Sequence, residues 1–143
     1  MKRLRTALVG MGDVGRYVAG FLRYDRWFVP QVVVDVNAER AAAGAKRYRF
    51  ARWTTDFADV ISDTRVDAVY LGVPHDLHYP MVMQAIEAGK PVLCEKPITI
   101  RVDHATEIVR RSEQLGVPVA VNYQHRYDPS AQRMIALARS GRI

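Results

Sequence analysis

The turn Gly10-Met11-Gly12-Asp13-Val14-Gly15 constrains this chain more than any other stretch. An apolar run over residues 4–9 precedes it and reads as a strand. After it, Val14, Val18, Phe21 and Leu22 carry the spacing of one helical face. A second apolar run over 31–34 ends in Asp35, 20 residues past Gly15. Strand, GxGxxG, helix, strand and acid, in that order, make the fingerprint of a dinucleotide-binding βαβ unit. Each glycine answers a physical demand. Gly10 lets the chain turn sharply off the strand, Gly12 lets a diphosphate approach the backbone, and Gly15 lets helix and strand pack closely. The helix start then offers unpaired N–H groups and a positive dipole end to an anion. Gly10, Met11, Gly12, Asp13, Val14 and Gly15 are therefore candidate cofactor residues. Asp35, followed by Val36 and Asn37, stands where a carboxylate accepts hydrogen bonds from adenosine ribose hydroxyls and repels a 2′-phosphate. That favours NAD, while Arg40 close by keeps NADP open.

The rest of the chain alternates strand and helix. Strands are expected over 4–9, 31–35, 50–53, 68–71, 92–94 and 119–121, and helices over 14–24, 38–47, 56–61, 77–88, 102–115 and 130–139. The expected fold is α/β, Rossmann-type and doubly wound, with a mostly parallel sheet of about six strands. Several strands are runs of Val, Ile, Leu and Ala without alternation, the pattern of strands buried on both faces. Residues 1–122 are assigned to the dinucleotide-binding domain and 123–143 to a connecting loop and helix. Asp128-Pro129 reads as an N-cap followed by proline at the first helical position. The helix behind it carries an apolar stripe at Ala131, Met134, Ile135 and Ala138.

The 143 residues are enough for one domain with a proper core. No apolar run approaches the ~20 residues of a membrane span. The basic start, Met1-Lys2-Arg3-Leu4-Arg5, is followed by a segment too short and glycine-rich for a signal peptide, so no membrane partner and a cytoplasmic setting are expected. The formal charge of +6 is spread along the chain. Its densest part, residues 46–52, reads as a solvated helix end, and no nucleic-acid partner is expected. The lone cysteine, Cys94, lies in an apolar run and reads as a small hydrophobe.

Ligands of open parallel sheets bind beyond the carboxyl ends of the strands, which selects the loops at 10–15, 35–37, 72–78, 95–97 and 122–127. The segment Gly72-Val73-Pro74-His75-Asp76-Leu77-His78, followed by Ala88-Gly89-Lys90-Pro91-Val92-Leu93-Cys94-Glu95-Lys96-Pro97, resembles the Gfo/Idh/MocA oxidoreductase family. The Glu-Lys-Pro triplet is the most specific mark. Asn122-Tyr123-Gln124-His125-Arg126-Tyr127-Asp128-Pro129 is similar to the family's segment after its sixth strand. The resemblance covers essentially the whole chain. It implies hydride transfer between a nicotinamide cofactor and a carbinol carbon, with a small-molecule sugar, inositol or related polyol as substrate.

The resemblance implies that Lys96 is the catalytic residue, stabilising charge on the reacting oxygen or relaying its proton. It implies that Glu95 orients Lys96 or meets the nicotinamide ribose; a plain ion pair between the two is the alternative. Pro97 is expected to follow a cis peptide bond. Gly72, Val73, Pro74 and His75 are expected along the dinucleotide's path, and His78 as a hydrogen-bonding bridge between loops beside it. Gln124 and Arg126 are expected where the cofactor and substrate ends of the cleft meet. A metal reading of His75 and His78 lacks further ligands. Family members continue into a second domain that supplies the substrate pocket, a partner histidine and the oligomer interface. The chain is therefore expected to be the cofactor domain without that second domain. It should bind dinucleotide with little or no turnover alone, and be part of a homo-oligomer when full length. An apolar patch and self-association are expected where the second domain would dock. The alternative is a standalone module that binds dinucleotide without chemistry.

Overall fold

A computed structural model describes residues 3–143. Six strands, β1 (Leu4–Val9), β2 (Phe28–Val34), β3 (Arg52–Thr54), β4 (Ala68–Leu71), β5 (Val92–Cys94) and β6 (Val119–Val121), form one sheet in the order β3-β2-β1-β4-β5-β6. Every pairing is parallel. The chain starts mid-sheet, winds out to β3, crosses to β4 and winds out the other way. The reversal between β1 and β4 opens a crevice at their carboxyl ends. The expected doubly wound architecture is the one observed.

Side chains along each strand alternate between two cores. Ala7, Val9, Val32, Val34, Val69, Leu71, Val92 and Cys94 pack against α3 (Ala58–Ile61), α4 (His75–Glu87) and α5 (Val102–Leu115). Leu8, Val33 and Tyr70 pack against α1 (Asp13–Leu22) and α2 (Ala38–Tyr48). Two-sided burial is why these strands read as unbroken apolar runs. Cys94 is fully buried, and burial pushes its thiol up to about 12, so it behaves as the hydrophobe expected. Leu93 shares the Tyr70 side of the sheet but remains 39% exposed, facing an open cavity that it lines with Tyr17, Val18 and Phe21 of α1.

Several boundaries differ from expectation. β2 begins at Phe28, three residues before the expected start, and runs through Pro30. Pro30 pairs with Thr6 on β1, while β3 joins β2 only from Val32. The missing proline N–H therefore interrupts no ladder bond, and the register slips by one residue just past it. β3 starts at Arg52, because Phe50 belongs to the end of α2. Arg49 there is left-handed, and the Phe50 N–H donates back to Ala45 O at 3.0 Å. α4 starts at His75 rather than 77, directly after extended Pro74.

Two helix faces differ from expectation. In α1 Leu22 is buried and Val18 packs half-buried on the core as expected, but Gly15 and Ala19 complete the buried face, whereas Val14 and Phe21 are 48% and 60% exposed. Small residues let this helix lie close to the sheet, and the larger ones point away. In α6 (Pro129–Arg139), which follows a 3-10 turn at Gln124–Tyr127, the expected capping by Asp128 is present, but no residue is buried. Of its apolar stripe, Ala131 is half-buried and Met134, Ile135 and Ala138 are exposed.

Candidate functional site

The glycine turn builds an anion cradle. Gly10 has φ +92°, and a Cβ on it would stand 2.2 Å from the Gly72 carbonyl oxygen. A Cβ on Gly15 would stand 1.8 Å from the Gly10 carbonyl oxygen and 2.9 Å from its carbon, with a Leu8 methyl farther off at 3.5 Å. The close approach that Gly15 permits is thus chiefly to the turn itself. At Gly12 nothing lies within 4 Å of a Cβ position. The first intrahelical bond of α1 runs from the Arg16 N–H to Gly12 O at 2.9 Å, so the amides of residues 12–15 lie ahead of it. Open space in front of these amides, at the positive end of a ten-residue helix, fits a diphosphate. The Asp13 carboxylate, in this first turn, is exposed and paired with Arg16.

Asp35 closes one side of the cradle. It is 7% exposed and accepts from the Met11 N–H at 2.8 Å through Oδ2 and from the Asn37 N–H at 2.9 Å through Oδ1. Arg40 donates to Oδ1 as well, at 3.0 and 3.1 Å. Burial alone would raise this carboxyl, but the Asn37 and Met11 amides and the Arg40 guanidinium outweigh it and hold it below the usual carboxylate range. Oδ2 carries a single protein donor and retains capacity for another. Beyond Asp35 lies a largely apolar cavity of about 380 Å³, bounded by Val36, Gly72, Val73 and Pro74 together with Phe57 and Met81. Thr55, Phe57, Leu77 and Met81 were not among the sequence candidates; they come from the ends of β3 and α4 and from the β3–α3 loop, and only Leu77 falls in a segment that a motif marks.

A second cavity, of about 640 Å³, lies on the other side of the α1 start and holds Asp13, Val14, Glu95, Lys96 and Gln124. Neighbouring residues of the glycine turn line the two cavities, Gly12 the first and Asp13 the second. Lys96 is exposed, and the Lys96–Pro97 peptide bond is cis as expected. Among the described residues no ion pair joins Glu95 to Lys96. Instead Glu95 Oε1 accepts from the Tyr70 hydroxyl at 2.9 Å and from Asn122 Nδ2 at 2.5 Å. Burial, and then the bond to Glu95, push Tyr70 far above its ordinary value and keep it a neutral donor. Tyr70 and Asn122 were also absent from the sequence candidates. The available signal for Tyr70 was a hydroxyl inside an otherwise apolar strand.

The remaining candidates are placed differently. The Met11 side chain is buried in the core against Gly44, so only its backbone faces the site. Asn37 Oδ1 accepts from the Arg40 N–H as the cap of α2. His75 is exposed at the start of α4, in edge contact with His78. The His78 ring is fully buried and bridges two loops, with Nδ1 2.7 Å from the Pro97 carbonyl oxygen and Nε2 2.9 Å from that of Val73. Arg126 lies apart from the Lys96 cavity, in a separate depression with Val121, Tyr123, Tyr127 and Gln132.

A parallel sheet reversing between β1 and β4, a glycine cradle at that reversal and an acid ending β2 together define a dinucleotide-binding Rossmann domain. The chain belongs to the Gfo/Idh/MocA oxidoreductase family with an NAD-binding Rossmann fold, which matches residues 4–123. It is 33% identical over 142 residues to an inositol 2-dehydrogenase of Corynebacterium glutamicum (strain R), covering 98% of this chain and 42% of that protein. A 1,5-anhydro-D-fructose reductase of Ensifer adhaerens is 32% identical, covering 97% and 42%. Among solved structures, GenD2 from gentamicin A biosynthesis, in complex with NAD, superposes with a TM-score of 0.91 at 31% identity, covering 96% of this chain and 39% of that one. The chain thus spans about two fifths of the length of the relatives it matches.

Proposed function

We propose that this chain is the cofactor-holding part of an oxidoreductase that moves hydride between NAD and a carbinol carbon of a sugar, inositol or related polyol. The observation that carries this reading is the order of groups on either side of the glycine turn: an apolar cavity beside Asp35, bare amides at residues 12–15, and a second cavity that holds the Lys96 ammonium. In this reading Phe57, Leu77 and Met81 enclose the adenine, and Asp35 Oδ2 accepts from a ribose hydroxyl. Residues 12–15 hold the diphosphate through N–H groups and the helix dipole, while Gly10 and Met11, whose N–H groups are bound to Val34 O and Asp35, shape the turn. Gly72, Val73 and Pro74 wall the path between the two ends, and Glu95, Lys96 and Gln124 surround the nicotinamide end. The bound cofactor would supply the hydride acceptor or donor. Lys96 holds the substrate oxygen and takes or returns its proton as the carbon–hydrogen bond breaks or forms. The names of the relatives, an inositol dehydrogenase and an anhydrofructose reductase, support a polyol or sugar as substrate.

Calorimetric titration of the chain with NAD and NADP tests this. NAD should bind at least about tenfold more tightly than NADP, and Asp35→Ala should erase that preference. Tight NADP binding would remove the role given to Asp35, and no binding of either would remove the reading.

A further inference from the structure

Glu95 and Lys96 are adjacent residues of opposite charge at the mouth of one cavity, yet they are not paired. The cause lies in the sheet below them. Glu95 after β5 and Asn122 after β6 stand at one level on neighbouring strands, and Tyr70 lies two residues below that level on β4, opposite Leu93, with its hydroxyl reaching up to the carboxylate. Backbone bonds fix that level: the Glu95 N–H donates to Leu71 O at 2.9 Å, and the Asn122 N–H donates to Cys94 O at 2.8 Å. Tyr70 is 2% exposed and packs in the core cluster that contains Leu8 and Met11, beneath the glycine turn. A Cβ on Gly72 would stand 2.9 Å from its ring, so the Gly72 backbone closes over the tyrosine and limits where its hydroxyl can point. That hydroxyl and the Asn122 amide both converge on Glu95 Oε1.

We propose that Tyr70 and Asn122 are positioning residues that hold the Glu95 carboxylate down toward the sheet and so leave the Lys96 ammonium free for the reacting oxygen. The inference rests on the role of Lys96 given above, but the geometry it concerns can be tested without turnover. Remove one donor, and the carboxylate is released to pair with its neighbour. An ammonium held in an ion pair gives up its proton less readily and acylates more slowly.

The test is the rate of Lys96 acetylation by N-hydroxysuccinimide acetate, followed by peptide mass spectrometry on the 143-residue chain at fixed pH. Tyr70→Phe keeps the ring and removes the hydroxyl, and Asn122→Ala removes the other donor. Each should slow acetylation of Lys96 on the order of threefold to tenfold, while exposed Lys46 reacts at the wild-type rate. Adding Glu95→Gln to either variant should restore the Lys96 rate, since no carboxylate remains to pair with it. A loosened fold alone would not produce that rescue. Wild-type rates in both single variants, or slowing that persists with Glu95→Gln, would overturn the proposal. NAD titration of the same samples separates the two readings: absence of NAD binding by the wild type counts against the cofactor assignment, whatever the acetylation rates show.

Discussion

Asp35 shows how one residue serves fold and site together. Its two oxygens satisfy two backbone amides that would otherwise be stranded under the loops, Met11 on one and Asn37 on the other. Asparagine in its place would turn a donor toward one of those amides. Asp35→Asn should therefore cost about 1–3 kcal/mol at pH 7, read from urea unfolding. The same bonds set a pH dependence. A carboxyl held low in the folded chain contributes stability that is fully present above the ordinary carboxylate range, about pH 4, and is lost as pH falls through the folded value. The gap between wild type and Asp35→Asn should consequently narrow as pH is lowered from 4 toward 2. A gap that stayed constant across that range would show that the bonds do not depend on ionisation. The sequence puts this aspartate at the end of the second strand, and in the structure it directly follows β2. The sequence could not show that Met11 and Asn37 already engage it, because those contacts depend on how two loops meet. Tyr70 and Glu95 illustrate the same limit: they lie 25 residues apart and meet only through strand pairing.

Elements were legible where one physical signal dominated. Glycines at a strand end, an Asp-Pro helix start and two-sided apolar strands all appear as read. Elements whose form depends on neighbours were not. The expected second strand begins only after Pro30, yet the proline fits inside β2 where the adjoining strand has not yet begun. The apolar spacing of α1 reads as one face, yet close packing at the glycine turn selects Gly15 and Ala19 for the sheet. For α6 the local signals were right and the packing was not. Asp128 Oδ1 accepts from the Ser130 and Ala131 N–H groups, but no side chain of the helix is buried. The cap is therefore a main support of this helix, and its loss should stay local. Asp128→Ala should speed hydrogen exchange across residues 131–139 about fivefold, with the thermal midpoint of the whole chain nearly unchanged. A matching fall in the global midpoint would mean that α6 is part of the cooperative unit.

At the scale of the whole molecule, two apolar surfaces lie open. Tyr17 and Phe21 on α1, 68% and 60% exposed, stand beside the uncovered face of β5 at Leu93. Met134 and Ile135 on α6 are 62% and 41% exposed. Isolated apolar residues are ordinary on a protein surface, but grouped aromatic and aliphatic side chains favour association. The formal charge of +6 opposes it. That repulsion is screened over about 8 Å at physiological ionic strength, whereas the apolar gain is not. The chain should therefore self-associate reversibly at concentrations on the order of 100 µM, and more strongly as salt is raised from 0.02 to about 0.5 M. Sedimentation velocity over a concentration series reads both effects. Phe21→Asp combined with Met134→Asp should return the chain to a monomer, since neither side chain supports the core and each would place a charge in an apolar contact. If the wild type stays monomeric throughout, these surfaces are too dispersed to drive association. If it associates but dissociates with added salt, opposite charges hold the copies together and the apolar faces do not.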